Sequence, residues 1–264
     1  MSGLHIPLDG GPDGARTEHA VNVLAPNPGI MTLDGTNTWL IGEGEETIVV
    51  DPGPDDAGHL ERVRACLDGR RVTEILLTHG HFDHSGGARS FAALVNAPVR
   101  ALDPRHRLGG EGLADGDVVK VGGLEVHVHG TPGHSFDSLC FWLPQDRAML
   151  TGDTVLGRGT TIIAGDGGLA DYLRSLDRLR EAAERLEARV LLPGHGPVLT
   201  DPIAALDGYL AHRRERLDQI RAAQAQGART PREIVRVVYA DVDRSLWPAA
   251  EMSVRAQLDY LERL

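Results

Sequence analysis

Thr78-His79-Gly80-His81-Phe82-Asp83-His84 sets three imidazoles and one carboxylate within a single short run. Divalent transition ions take neutral imidazole nitrogen and carboxylate oxygen as ligands. In an extended turn alternate side chains point the same way, so His79 and His81 can share one ion. Asp83 and His84 follow where the chain turns into a helix and can face a neighbouring ion. The run comes directly after Thr73–Leu77, a short apolar stretch that reads as a strand buried on both faces. It is followed by Ser85-Gly86-Gly87, whose glycines let the backbone pass close to a site.

Three further segments repeat this pattern. Gly130-Thr131-Pro132-Gly133-His134 presents His134 after a strand. Leu150-Thr151-Gly152-Asp153 presents Asp153, and Pro193-Gly194-His195-Gly196 presents His195. Each potential ligand sits at a strand end beside Gly or Pro, as expected for ligands carried on loops of a rigid scaffold. His127 and His129 alternate with valines on a strand and read as structural or partly exposed. His5, His19, His59, His106 and His212 stand alone and receive no role.

Outside these segments, the 264 residues suit one α/β sandwich with a small appendage. The net charge of −11, from 27 basic and 38 acidic residues, argues against a protein that grips nucleic acid nonspecifically over a broad surface. No long apolar run suggests a membrane span. The Gly- and Asp-rich opening, read as flexible to about Glu18, does not resemble a signal peptide. A cytoplasmic protein is expected, with Cys66 and Cys140 as two reduced, buried thiols.

Strands are expected at His19–Leu24, Thr36–Gly42, Glu46–Asp51, Pro98–Leu102, Asp117–Val121, Leu124–His129, Ser138–Leu143, Ala148–Thr151 and Val190–Leu192. Helices are expected from Asp55 or Asp56 to Leu67, over Ser85–Val95 and over Leu169–Leu186. Beyond Asp201 the pattern becomes helical: Ile203 to about Gln226, a helix capped by Thr230-Pro231-Arg232-Glu233, and Met252–Leu264. We place the expected division at residues 1–201, a catalytic domain, and 202–264, a helical appendage.

The run at 78–84 resembles the His-x-His-x-Asp-His signature of the metallo-β-lactamase superfamily, and the later His, Asp and His match in order and approximate spacing. The resemblance implies an α/β (α+β) fold, an αββα sandwich with the site at one sheet edge. It implies two divalent ions, most simply zinc. His79, His81 and His134 would hold the first, Asp83, His84 and His195 the second, and Asp153 would bridge them. Such ions, about 3.5–4 Å apart, lower the pKa of a bridging water toward neutrality, and Asp83 can also orient the resulting hydroxide.

Asp153 argues against antibiotic hydrolysis, because typical β-lactamases lack the bridging Asp. Asn27-Pro28-Gly29-Ile30-Met31-Thr32-Leu33-Asp34-Gly35-Thr36-Asn37-Thr38-Trp39-Leu40 resembles the N-terminal signature of the β-lactamase-like endoribonuclease family. Leu156-Gly157-Arg158-Gly159-Thr160-Thr161 and the tail from His212 are similar to it too. The tail reads as a winged-helix-like region whose wing is absent. These segments mark Asn37, Thr160 and Thr161 as candidate substrate contacts, and Arg213, Arg214, Arg216 and Arg221 as either a phosphate-binding face or a solvated one. The first expectation is therefore an endoribonuclease acting on single-stranded RNA. The alternative is a thioesterase or other acyl hydrolase of glyoxalase-like type, acting on a small thioester or ester. A non-catalytic metal-binding regulator and a single-iron persulfide dioxygenase are minor alternatives.

Overall fold

Leu40 and Ile41 are neighbours in sequence, and each is buried in a different core. This alternation, repeated along the central strands, makes a sheet covered on both faces. The computed structural model describes residues 4, 5 and 11–264. Ala20–Leu24 (β1), Asn37–Glu43 (β2), Glu46–Val50 (β3), Arg71–Leu76 (β4) and Val99–Arg100 (β5) form one sheet in the order β1-β2-β3-β4-β5. Val118–Val121 (β6), Leu124–Gly130 (β7), Leu139–Leu143 (β8), Ala148–Gly152 (β9) and Val190–Pro193 (β10) form the second, in the order β10-β9-β8-β7-β6.

The core between the sheets joins Trp39, Ile41, Ile48, Val50 and Leu76 to Phe141, Leu150 and Leu192. The outer face of the first sheet packs Leu40, Val49 and Ile75 against Ala57–Cys66 (α1) and Ala88–Val95 (α3) through Leu60, Val63 and Phe91. The outer face of the second packs Trp142, Met149 and Leu191 against Leu169–Arg185 (α4) and the first half of Pro202–Ala225 (α5). This is the expected αββα sandwich. The second half of α5 feeds a separate small core with Pro231–Val238 (α6) and Trp247–Leu261 (α7), built on Ile220, Ile234, Val235 and Val254. The apolar cluster on α4 therefore runs on past Asp201, which caps α5 through its side chain.

Several expected boundaries move. The helix expected over Ser85–Val95 is two helices, Phe82–Ser85 (α2) and α3, separated at Gly86-Gly87. The strand expected over Pro98–Leu102 shrinks to β5, which pairs with the end of β4 and, on its other side, forms a single bridge from Val99 to Gly109. The last helix starts at Trp247 rather than Met252, with Pro248 in its first turn. The capping box of Thr230 and Glu233 forms as read. Cys66 is exposed, contrary to expectation, while Cys140 is buried. The opening segment lies partly outside the described residues. Its described part is pinned rather than loose: Arg16 and His5 exchange backbone hydrogen bonds, and Thr17 bonds Asp146. Among the described residues, no helix is long and apolar enough to cross a membrane.

Candidate metal centre

β4 delivers the motif to the sheet edge, and Asp51 fixes how it leaves. The Thr78 N–H donates to Asp51 Oδ1 at 2.8 Å, and the Thr78 hydroxyl donates to Oδ2 at 2.6 Å. Asp51 Oδ2 also accepts from His84 Nδ1 at 2.9 Å. One buried carboxylate at the end of β3 thus aligns both ends of the run. The Leu139 N–H donates to the Thr78 carbonyl, which ties the second sheet to the same point.

The seven expected ligands converge. His79 Nε2 and His134 Nε2 lie 3.0 and 2.9 Å from His81 Nδ1. His195 Nε2 lies 3.1 Å from His84 Nε2 and 3.1 Å from Asp83 Oδ2. Asp153 stands between the two groups, with Oδ2 3.6 Å from His134 Nε2 and 3.5 Å from His195 Nε2. Three sets of donor atoms are each compact enough to hold an ion: His79, His81 and His134; Asp83, His84 and His195; and His79, His84 and Asp153.

The ring nitrogens pointing away from this centre are all engaged. His79 Nδ1 meets the Thr78 hydroxyl, His81 Nε2 meets Asp166 Oδ2, and His84 Nδ1 meets Asp51. His134 Nδ1–H donates to the Ile162 carbonyl at 2.9 Å, and His195 Nδ1–H donates to the Gly35 carbonyl at 3.0 Å. Spending the proton on an outer acceptor leaves the inner nitrogen as a lone pair. Lone pairs and carboxylates crowded at about hydrogen-bond distance need protons or cations between them.

Electrostatics agree. Burial holds the His79 and His134 pKa below the ordinary imidazole value, so both are neutral, the form that binds metal. Burial opposes charge on His195, yet the Asp153 and Asp83 carboxylates raise its pKa to about 9. Asp153 Oδ1 is buried and makes no hydrogen bond, although His84 Nε2 is 3.3 Å away. A Cβ on Gly194 would meet Asp153 Oδ1 and His84 Cε1 at 2.7 Å each, so the wall has been cut back to glycine around these donors. The residues present fit divalent ions.

The candidate substrate contacts divide. Asn37 is buried, and its amide donates to the Pro193 and Gly196 carbonyls at 2.9 Å each. It holds the His195 loop from beneath rather than facing the opening. Thr161 spends its hydroxyl on the Asp153 carbonyl. Thr160 and Thr161 both line a cavity of about 320 Å³ that reaches His134 and Asp153. The 30–33 loop, the 156–162 loop, α5 and the tail close this cavity, with Leu33, Leu156, Val242 and Leu246 among its apolar walls. Ile30 and Met31 are exposed at its edge.

The arginines of α5 do not all share one face: Arg213 and Arg216 turn toward the cavity, while Arg214 and Arg221 do not line it. Arg213 is buried over the Tyr172 ring, Arg216 lies over Tyr239, and Arg221 pairs with Asp218. Sequence reading missed Asp51 and the cavity. It also gave no role to His106, whose ring backs Gly80 and which sits within ligand distance of Asp103 and Asp137. Asp103 is already engaged by Arg105.

The profile of the Metallo-beta-lactamase superfamily matches residues 31–195, which hold every one of these ligands. The chain belongs to the metallo-β-lactamase superfamily. It carries a His/Asp cluster compact enough to hold metal ions. Residues 230–264 match the Beta-lactamase associated winged helix domain. Among the described residues that stretch is helical throughout its regular structure, with no strand. The chain is 34% identical over 78% of its length to the lactamase-like protein adaB of Aspergillus niger, and the match spans 64% of that relative's length. It is 35% identical to an atrochrysone carboxyl ACP thioesterase of Aspergillus fumigatus, over 83% of this chain and 73% of that one. A metallo-beta-lactamase family protein from Thermus thermophilus shares the fold, with a TM-score of 0.77, 24% identity and 93% of each chain covered. These two relatives are named a lactamase-like protein and a thioesterase.

Proposed function

We propose that this protein is a metal-dependent hydrolase that cleaves a thioester bond, and that the expected RNA substrate gives way to an acyl one. The observation that carries this reading is the largely apolar cavity opening on His134 and Asp153. An acyl chain gains by entering such a space, at about 25 cal/mol per Å² of apolar surface removed from water. Along its apolar walls, Leu33, Leu156, Val242 and Leu246, a phosphodiester backbone would lose water without gaining a hydrogen bond. The similarity to an acyl-carrier-protein thioesterase supports the same reading.

In this proposal His79, His81 and His134 hold one ion, Asp83, His84 and His195 hold a second, and Asp153 serves both, with zinc as the metal. When bound, such ions lower the pKa of water and polarise a carbonyl. The chain's own residues do the rest. The partly exposed Asp83 side chain offers an acceptor on the open side of the centre, where it can orient a nucleophilic water. Asp51, Gly35 and Ile162 keep the imidazoles from turning. Leu33 and Leu156 exclude water from the acyl side. A thiolate, with a thiol pKa of about 8.5, departs without a proton donor.

The test is a paired assay of metal-loaded protein on an acyl thioester and on single-stranded RNA, with Asp153→Ala as control. Thioester hydrolysis that disappears in the variant is expected. RNA cleavage that disappears in the variant, with thioesters untouched, would overturn the reading.

A further inference from the structure

Arg213 is 3% exposed, lines the cavity, and has no carboxylate partner among the described residues. Its Nη2 donates to the Thr161 carbonyl, and its guanidinium lies 5.0 Å from the centre of the Tyr172 ring. Its Nε is buried without an acceptor. A buried guanidinium is costly unless its charge is met, and one carbonyl and a ring face meet it only in part.

The neighbouring Arg216 is also short of an anion. Arg216 donates to the Val238 carbonyl at 3.1 Å and to Gln219, and rests 4.6 Å from the Tyr239 ring centre. His212 is half-buried beside them. Arg158, by contrast, is paired with Asp34. The one carboxylate lining the cavity is Asp153, which belongs to the metal centre. In a chain of net charge −11, this cavity has an apolar body and a cationic end without counter-charge.

We propose that the cavity takes the acyl half of the substrate and that this acyl group carries a carboxylate, held by Arg213 with Arg216 and His212. The inference rests on the thioesterase reading and adds the substrate class. With the reacting carbonyl at the centre beside His134 and Asp153, the carrier on sulfur stays outside. The acyl group then runs along Leu156, Val242 and Leu246 toward α5. A plain fatty acyl group would fill the apolar part and leave Arg213 unmet. An acyl group with a carboxylate satisfies both, and a guanidinium is the side chain suited to a bidentate carboxylate. The helical tail then acts as a specificity wall, since Val242, Leu246 and Ala250 come from it.

The test uses two uncleavable probes that are neutral at the metal end: the N-ethyl amide of octanoic acid, and the mono-N-ethyl amide of octanedioic acid. Binding to the full, metal-loaded chain is measured by calorimetry. The acid-bearing probe should bind about tenfold tighter or more, the size of one charge-assisted contact. Arg213→Gln should remove that preference. Should that variant fail to fold, Arg216→Gln should reduce the preference severalfold in a folded protein. Ala250→Phe, which fills the cavity, should weaken both probes. Equal binding of the two probes, or no binding of either, overturns the proposal. So does a preference that survives both Arg216→Gln and Ala250→Phe, because the metals are then capturing the carboxylate directly. Failure of the thioester assay is a separate outcome, since amide binding does not depend on turnover.

Discussion

Asp51 and His84 meet in a buried contact of 2.9 Å between Oδ2 and Nδ1, and the same carboxylate receives both donors of Thr78. Asp51 is no ligand itself, but it fixes the tautomer and direction of one. Asp51→Asn keeps a residue that tolerates the left-handed backbone at φ 51° while removing the charge. We expect metal affinity to fall by about 10–100-fold, the usual cost of losing such a support. Competition with a chelator, with circular dichroism as a check on folding, measures it.

Gly194→Ala places a methyl group 2.7 Å from Asp153 Oδ1 and from His84 Cε1. Neither neighbour can yield without leaving the centre. The expected outcome is a loss of bound metal and of activity, with a stability cost of about 1–3 kcal/mol from overpacking. Metal content by elemental analysis and a denaturation curve decide it. A variant that loads metal like the parent would contradict the placement of these donors.

Asn37 makes the opposite prediction from a substrate contact. Asn37→Ala strands the Gly196 carbonyl and leaves the Pro193 carbonyl only the Trp39 Nε1–H donor under the His195 loop, which should cost about 1–3 kcal/mol. Metal affinity should drop with it. KM for a cleaved thioester should stay near the parent value, because the side chain does not line the cavity. A selective rise in KM, with stability unchanged, would place Asn37 against substrate after all.

The two thiols should separate chemically. Burial pushes the Cys140 pKa up from 9.0 to about 11, whereas Cys66 lies open to reagent. Iodoacetamide at mildly alkaline pH should therefore add one group per native chain, at Cys66, and a second only after unfolding, as read by mass spectrometry. The sign for stability follows. The Cys140 contribution is complete below the unfolded pKa of 9.0 and is lost as pH rises through about 11. Two rapid adducts on native protein would refute the burial.

The side chains of the His/Asp cluster were legible because each is announced locally. His79 to His84 is one run, and His134, Asp153 and His195 sit beside Gly or Pro at strand ends. The sandwich was legible for a related reason, since apolar alternation reports sheet faces directly. Asp51 was not, because its contacts with Thr78 and His84 exist only once β3 and β4 pair in parallel. The cavity was hidden too, being closed by segments far apart in sequence. Arg213 sits in a basic run whose spacing looks the same for a solvated helix as for a buried contact. Only the packing of α5 on α4 tells them apart. The start of α7 could have been found, since Pro248 marks a first helical turn.

The chain of contacts from Arg213 to the Thr161 carbonyl, and from the next residue's carbonyl to His134 Nδ1, has an evolutionary consequence. The segment that grips the substrate and the loop that orients an imidazole share two adjacent peptide groups. New specificities cannot be acquired by exchanging the last quarter of the chain, from α5 on, alone. A donor tail would need a group at position 213 able to reach that carbonyl, or the graft would recognise a new acyl group with a mis-set catalytic centre. Inheritance of pocket and centre as one block is what such a linkage enforces.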